Sequence, residues 1–495
     1  MLKLTPAVAA LLLTAAPLAA AAPAPRAPQV AVTDHVGTFG GTKVAYRATV
    51  AEHFVPDAKG QPGASVITIA YTRTDVGDPA RRPVLFLFNG GPGASSSPTH
   101  LGLGPKKRAV ESNGPAPAGP SALVDNPYSP LDQFDMVFID PVGTGFSRAF
   151  PGEDPKQWYS LKDDAVEVAG VIEEWLKANH REASPRFMLG ESYGTARAAA
   201  ILKYAKALKV DGVALVAVVG DTPGHEMPYV AALPTMAAGA WYHNRIDRAG
   251  RSVEQVYREA VEFARTDYVS ALIQGSSLPA AEKRRIAEKM SKLIGLPADF
   301  IAAHDLRISK NDYMFNLLKG QTLRTGLLDV RVTAPLEPGQ LGDIDDPALG
   351  VAPKRKPGAP AGPPPNPASI GPVRNETVET YLRNDLKFAT PERYYGINFT
   401  ANSQWRWGGE PKFDVGGPIA AAMKEDPKLR LFWAGGYYDL TTPVYATRYT
   451  FDQAGVPAER VTAAEFEGPH GVYEGDKNLA AFTAALKAFV GGGTR

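Results

Sequence analysis

The chain has 495 residues, 44% hydrophobic and 21% charged, enough apolar material for one or two cored domains. Fifty-three basic residues against 52 acidic ones leave a formal net charge of +1, far from the basic field that nucleic-acid binding needs. The absence of cysteine excludes disulfides, thiolate metal sites, cysteine nucleophiles and a lipid-anchored N-terminal cysteine.

Residues 1–22 read as a signal peptide. Lys3 supplies a positive start, Ala7 to Ala22 is Ala/Leu-rich, and Ala20 to Ala22 offer small residues for cleavage. A membrane-spanning helix is the weaker reading, because ~20 apolar residues are needed and Pro17 interrupts the run. Export to a periplasm or outside the cell is expected, with no membrane attachment after cleavage. The signal and the lack of disulfides suit a bacterial protein. Residues 23–34 are Pro/Ala-rich and are expected to be flexible.

Two β-like stretches follow, Thr42 to Val50 and Ser65 to Thr72. Then come short apolar runs at Val84 to Phe88, Met136 to Ile139, Phe187 to Leu189, Val213 to Val219 and Leu431 to Trp433. Runs apolar on both faces suit buried parallel strands. Ala165 to Leu176 has helical period, with Val166, Ala169, Val171, Ile172, Trp175 and Leu176 as its apolar positions. Strands alternating with helices predict an α/β fold, a sheet flanked by helices. The pattern changes over residues 225–385, where helices are expected at Ser252 to Thr266, Pro279 to Leu293 and Asn311 to Lys319. A Pro-rich loop at 347–372 reads as a passive linker. The predicted organisation is a core of residues 35–224 and 386–495, interrupted by a mainly helical insertion over 225–385.

Residues 190–194 read Gly-Glu-Ser-Tyr-Gly, after an apolar strand and before an Ala-rich helix. That is the setting of a nucleophile elbow, which presents Ser192 at the edge of a sheet. A serine hydroxyl needs a base, and the base needs an orienting acid. On a hydrolase sheet these follow in the order Ser, acid, His. Of the eight histidines, His470 alone follows the last strand, in a Gly/Pro loop. Asp439 follows the strand at Leu431 and the glycines 435 and 436, and is the favoured acid. It could also act as a turn or helix-capping carboxylate ahead of Thr441-Thr442-Pro443. Asp452 and Glu465 are weaker candidates. The oxyanion of an acyl-transfer intermediate needs two backbone N–H donors. One is Tyr193, next to the nucleophile; the loop Asn89-Gly90-Gly91-Pro92-Gly93 fits the place of the other.

Three segments together, Asn89 to Ser96 (Asn-Gly-Gly-Pro-Gly-Ala-Ser-Ser), Asp140 to Ser147 (Asp-Pro-Val-Gly-Thr-Gly-Phe-Ser) and Gly190 to Gly194, closely resemble the serine carboxypeptidase family, in a bacterial-type member. The resemblance implies an α/β-hydrolase fold with an inserted helical cap. It implies Ser192 as nucleophile, His470 as base, Asp439 as orienter, and Gly91 and Tyr193 as oxyanion donors. It also implies that Asn89, Gly90 and Glu191 hold the substrate's terminal carboxylate, with Glu191 protonated. The sequence departs from the family at Leu87, where Trp is usual, and at Ala94, where Cys is usual. A second Glu, which in the family pairs with the first, is missing from Pro98 to Pro105. His100 and the run Lys106-Lys107-Arg108 are candidate positive charges for a carboxylate.

The expected function is that of an exported serine exopeptidase releasing C-terminal amino acids from peptides, with no metal or cofactor. The alternatives are an aminopeptidase, or an esterase or acyltransferase, on the same fold. A catalytically silent binding protein is a further alternative, of another class.

Overall fold

The computed structural model describes residues 26–109, 121–337, 340, 346–350, 370–408 and 414–492. The expected signal peptide lies outside the described residues, as does most of the Pro-rich loop.

The centre of the molecule is one large sheet. In spatial order its strands are Val30–Phe39, Thr42–Pro56, Pro62–Arg73, Asp135–Asp140, Val84–Phe88, Arg186–Glu191, Gly212–Val216, Arg430–Gly436 and Val461–Phe466. The first three pair antiparallel, and Pro62–Arg73 also meets Asp135–Asp140 antiparallel. From Asp135–Asp140 onward every pairing is parallel. The chain visits Val84–Phe88 before Asp135–Asp140 yet places it further in, and the parallel strands then follow in sequence order. This crossover, with helices on both faces, is the α/β-hydrolase fold.

The parallel strands are where the sequence is apolar without alternation. Val84–Phe88 is buried at all five positions, as both faces of a central strand must be. One face packs on helices Leu161–Ala178 and Tyr193–Tyr204 and on the inserted helices. The other packs on Asp476–Gly491, with Glu376–Asn384 at the end nearest the antiparallel strands. Leu161–Ala178 begins where Ser160 Oγ accepts the Asp163 amide at 3.1 Å, with Asp163 and Asp164 favourably placed in its first turn.

Three expectations are corrected. Residues 23–34 are not flexible throughout, since the strand Val30–Phe39 starts inside them and pairs along its whole length with Thr42–Pro56. Gly40 and Gly41, both at positive φ, supply the two-residue hairpin turn. The apolar run Val213 to Val219 is strand only as far as Val216, because Ala217 turns to φ 52° and takes the chain off the ladder. Val166 does not face the core; it is 47% exposed, while Glu167 beside it is buried.

The inserted region contains Met227–Tyr242, Val253–Phe263, Ala280–Ile294, Lys310–Asn316 and Glu376–Asn384 as its longer helices. It also holds a small hairpin of Leu323–Thr325 with Thr333–Pro335. A second two-stranded antiparallel sheet, Pro372–Arg374 with Tyr395–Asn398, straddles the expected boundary at residue 385. Its far strand turns back onto the loop after Val84–Phe88, and so onto the site.

Candidate active site

The site forms at the carboxyl ends of the parallel strands. Arg186–Glu191 runs directly into helix Tyr193–Tyr204, and Ser192 at the junction has φ 57° and ψ −127°. A side chain tolerates that backbone only where its surroundings impose it, which is the strained elbow expected from the sequence. Gly190 and Gly194 make the turn possible: a Cβ on Gly190 would run into the Gly194 carbonyl. Ser192 itself is half-buried, between a buried Glu191 and a buried Tyr193.

Asp439 and His470 follow the last two strands of the sheet, Arg430–Gly436 and Val461–Phe466. His470 Nδ1 lies 2.8 Å from Asp439 Oδ2. The other oxygen, Oδ1, accepts the amides of Thr441 at 2.9 Å and Thr442 at 3.0 Å, and the Thr442 hydroxyl also donates to Oδ2. Asp439 is therefore both a turn-capping carboxylate and the partner of His470; the two readings coexist. Gly436 allows this approach, since a Cβ there would strike the carbonyls of Gly468 and Pro469 ahead of His470. Asp452 lies in helix Val444–Ala454, and Glu465 is engaged by Arg448, so neither competes. Among the described residues no hydrogen bond joins Ser192 Oγ to His470.

The electrostatics of the pair are coupled. Burial works against charge on both groups. Asp439 nevertheless lies below its usual range, because His470 and the Thr442 donors favour the carboxylate. Burial would lower His470, but Asp439, Glu191 and Glu474 together raise it to about 9.

The loop from Asn89 packs directly on the elbow. A Cβ on Gly90 would overlap the Tyr193 amide and lie 2.8 Å from Glu191 O and 2.9 Å from Ser192 Cβ. Only glycine permits this contact. Tyr193 opens its helix, so its amide has no intrahelical acceptor. Asp140, from the second motif, accepts the Ser96 amide and hydroxyl, each at 2.7 Å, and so ties the loop to the sheet.

Glu191 is buried beside Ser192. Asn89 Nδ2 donates to its Oε1 at 2.8 Å, and the Tyr473 hydroxyl donates to its Oε2. Burial raises the Glu191 carboxyl above its ordinary value, opposed by His470, Tyr473 and Asn89. His100 does not reach it. Its Nε2 meets the Tyr71 hydroxyl at 2.7 Å in the apolar core, and burial drives its pKa down to about 3, so it carries no charge. Lys106 pairs with Asp125 at 2.6 Å and Lys107 with Asp476. Arg108 acts electrostatically on Glu474, which desolvation and Asp329 push up to about 7.

Four features have no counterpart in the sequence reading. Tyr473 is one. Arg197 is another: fully buried, it makes a two-point contact with Asp164 at 2.7 and 3.0 Å and donates to the carbonyl of Asn89. Asp164 is the third, accepting also from the Tyr193 hydroxyl at 2.9 Å. The fourth is the segment 395–408. Its Asn398 amide donates to Gly93 O at 2.8 Å, Asn402 donates to Pro92 O at 3.0 Å, and Trp405 and Trp407 stand edge-on to the Tyr193 ring.

Residues 70–250, which hold the Asn89 loop, the Asp140 turn and the elbow but not Asp439 or His470, match the family described as serine carboxypeptidase. Two curated relatives are the serine carboxypeptidase-like proteins 45 and 46 of Arabidopsis thaliana. The first is 35% identical over 124 residues, 23% of this chain and 24% of the relative. The second is 34% identical over 122 residues, 23% of each. The chain thus aligns with about a quarter of the length of either relative. These relatives are plant proteins, so the expected bacterial type finds no support in them. Among solved structures, a thermostable carboxyl esterase from Bacillus coagulans is 13% identical, with 90% of this chain and 98% of that one covered and a TM-score of 0.38. A peroxisomal alpha-beta-hydrolase of Saccharomyces cerevisiae is 9% identical, covering 94% and 89%, with a TM-score of 0.37. Likenesses this distant carry no argument, and the fold rests on strand order.

Proposed function

We propose that this chain is an exported serine carboxypeptidase, periplasmic or secreted, that releases C-terminal amino acids from peptides. One observation carries the reading: Glu191, adjacent to Ser192 and buried, is held by Asn89 at the strand ends where His470 meets Asp439. In this reading Ser192 attacks the last peptide carbonyl while His470, oriented by Asp439, takes its proton. The amides of Gly91 and Tyr193 stabilise the oxyanion. His470 passes the proton to the departing amino acid, and water then frees the acyl group from Ser192. Asn89, Gly90 and protonated Glu191 receive the terminal carboxylate. Export rests on the signal-like residues 1–22; among the described residues no helix is long and apolar enough to cross a membrane.

The test uses peptides blocked at one end, together with a fluorophosphonate probe. Wild-type protein should label, Ser192→Ala should not, and an N-blocked dipeptide acid should lose its last residue. Cleavage restricted to peptides with a free N-terminus would replace the proposal with an aminopeptidase. Hydrolysis confined to simple esters would replace it with an esterase. Failure of the wild type to label would make the chain a silent member of the fold.

A further inference from the structure

The carboxyl that this reading assigns to substrate recognition has a partner that no carboxylate supplies. Helix Ser97–Leu103 contributes no acid to the site; instead it leaves a gap at Gly102. The Tyr473 ring fills that gap. A Cβ on Gly102 would overlap the ring, with Cε2 at 2.5 Å. The ring is buried edge-on against Phe482, 5.7 Å between centroids, so its position is set by packing. From there the hydroxyl donates to Glu191 Oε2. Asn89 is equally constrained: its Oδ1 accepts the Thr99 amide at 3.1 Å and hydroxyl at 2.7 Å, which leaves Nδ2 for Glu191 Oε1. Both oxygens of Glu191 are thus oriented from opposite sides by groups that are themselves fixed.

We infer that Tyr473, seated by Gly102, is a further member of the carboxylate-recognition site, a positioning residue that fixes the Glu191 carboxyl to meet a peptide's terminal carboxylate. The inference rests on the proposed carboxypeptidase reading. It has a consequence for pH. A phenol, unlike a second carboxyl, adds no negative charge, and burial beside Glu191 holds Tyr473 protonated far above its ordinary range. Glu191 is therefore faced by the charged or titratable groups His470 and Asp439, and by Tyr473 and Glu474 from the loop after His470. His100, on the neighbouring helix, is neutral and turned to Tyr71. Donation from Tyr473 favours the ionised form of Glu191, so it lowers the pH at which the proton needed to bind a carboxylate is lost.

The experiment compares an N-blocked dipeptide acid with the matching N-blocked ester, which has no terminal carboxylate, across pH, in full-length wild type, Tyr473→Phe and Gly102→Ala. In Tyr473→Phe the acid-to-ester ratio of kcat/KM should fall about tenfold at low pH, through KM, as loss of one hydrogen bond to an ionisable group predicts. The alkaline limb of the acid profile should also move to higher pH, a change that a general loss of folded enzyme would not produce. Gly102→Ala, which displaces the ring without removing a polar group, should give the same selective fall. A wild type that favours the acid while both variants keep its ratio and its limb would overturn the role of Tyr473 and leave the carboxypeptidase reading standing. A wild type with no advantage for the acid would overturn both.

Discussion

At the scale of single residues, the ionisation of His470 makes the most direct prediction. A general base must be neutral to accept a proton, and His470 is raised to about 9 by three carboxylates against the effect of burial. For an ester without a carboxylate, kcat/KM should therefore climb with pH and level off only above about 9. Glu191 is one of the charges responsible, so Glu191→Gln should let His470 lose its proton at lower pH and shift the rising limb of ester hydrolysis down. A limb that stays in place would mean that Glu191 exerts no field on the base. Asp439→Asn removes the strongest of those charges and the hydrogen bond that sets the imidazole tautomer. A fall in kcat on the order of ten-thousand-fold is expected, measured on the same ester.

At the scale of elements, the Asn89 loop is tied to the elbow helix through a buried ion pair. Asp164 belongs to helix Leu161–Ala178, Arg197 to helix Tyr193–Tyr204, and Arg197 also donates to Asn89 O. Arg197→Met leaves the Asp164 carboxylate buried with no counter-charge. The cost is about 3–5 kcal/mol, read from the midpoint of urea unfolding, and pairing the change with Asp164→Leu should restore most of it. Activity should not return with stability, because the Asn89 loop has lost its anchor. The contrast between these elements explains what could be read from sequence. Val84–Phe88 and the elbow strand announce themselves locally, as unbroken apolar runs ended by glycine turns. The places of Ser192, of the Asp439–His470 pair and of the glycine loop follow, because chain order on such a sheet is restricted. Arg197 and Asp164 look like ordinary charged helix positions, since their burial depends on a partner 33 residues away. The segment 395–408 acts through backbone bonds, Asn398 donating to Gly93 and Gly396 accepting from Ser95, which leave no periodic trace. Tyr473 did leave a signal, a Tyr three residues after His470 opposite a glycine, in a chain lacking the expected second Glu.

At the scale of the whole molecule, the edge of the sheet limits how much of the N-terminus the proposed export could remove. Arg26 forms two hydrogen bonds to Glu52, at 2.5 and 2.6 Å, and the Gln29 amide adds a third at 3.0 Å. These contacts precede the strand Val30–Phe39, whose hairpin returns into Thr42–Pro56. Cleavage near Ala20 to Ala22 would leave all of them intact, whereas a start beyond Gly40 would strip the sheet of its outer strand and uncover Tyr46, on which Phe39 packs at 5.8 Å. If the chain is exported as proposed, the recovered protein should begin between residues 20 and 26 on N-terminal sequencing. A version lacking residues 1–22 should match it in Tm and in ester hydrolysis. Removing residues 1–40 should lower Tm by several degrees, since a ladder of ten residue pairs and the Arg26–Glu52 contact are lost while the carboxyl-end strands that carry the site keep their neighbours. Ester activity measured well below that Tm should persist. If the exported protein instead began inside Val30–Phe39, the strand would be dispensable in the natural molecule, and the stability assigned to it would have to come from the inner strands alone.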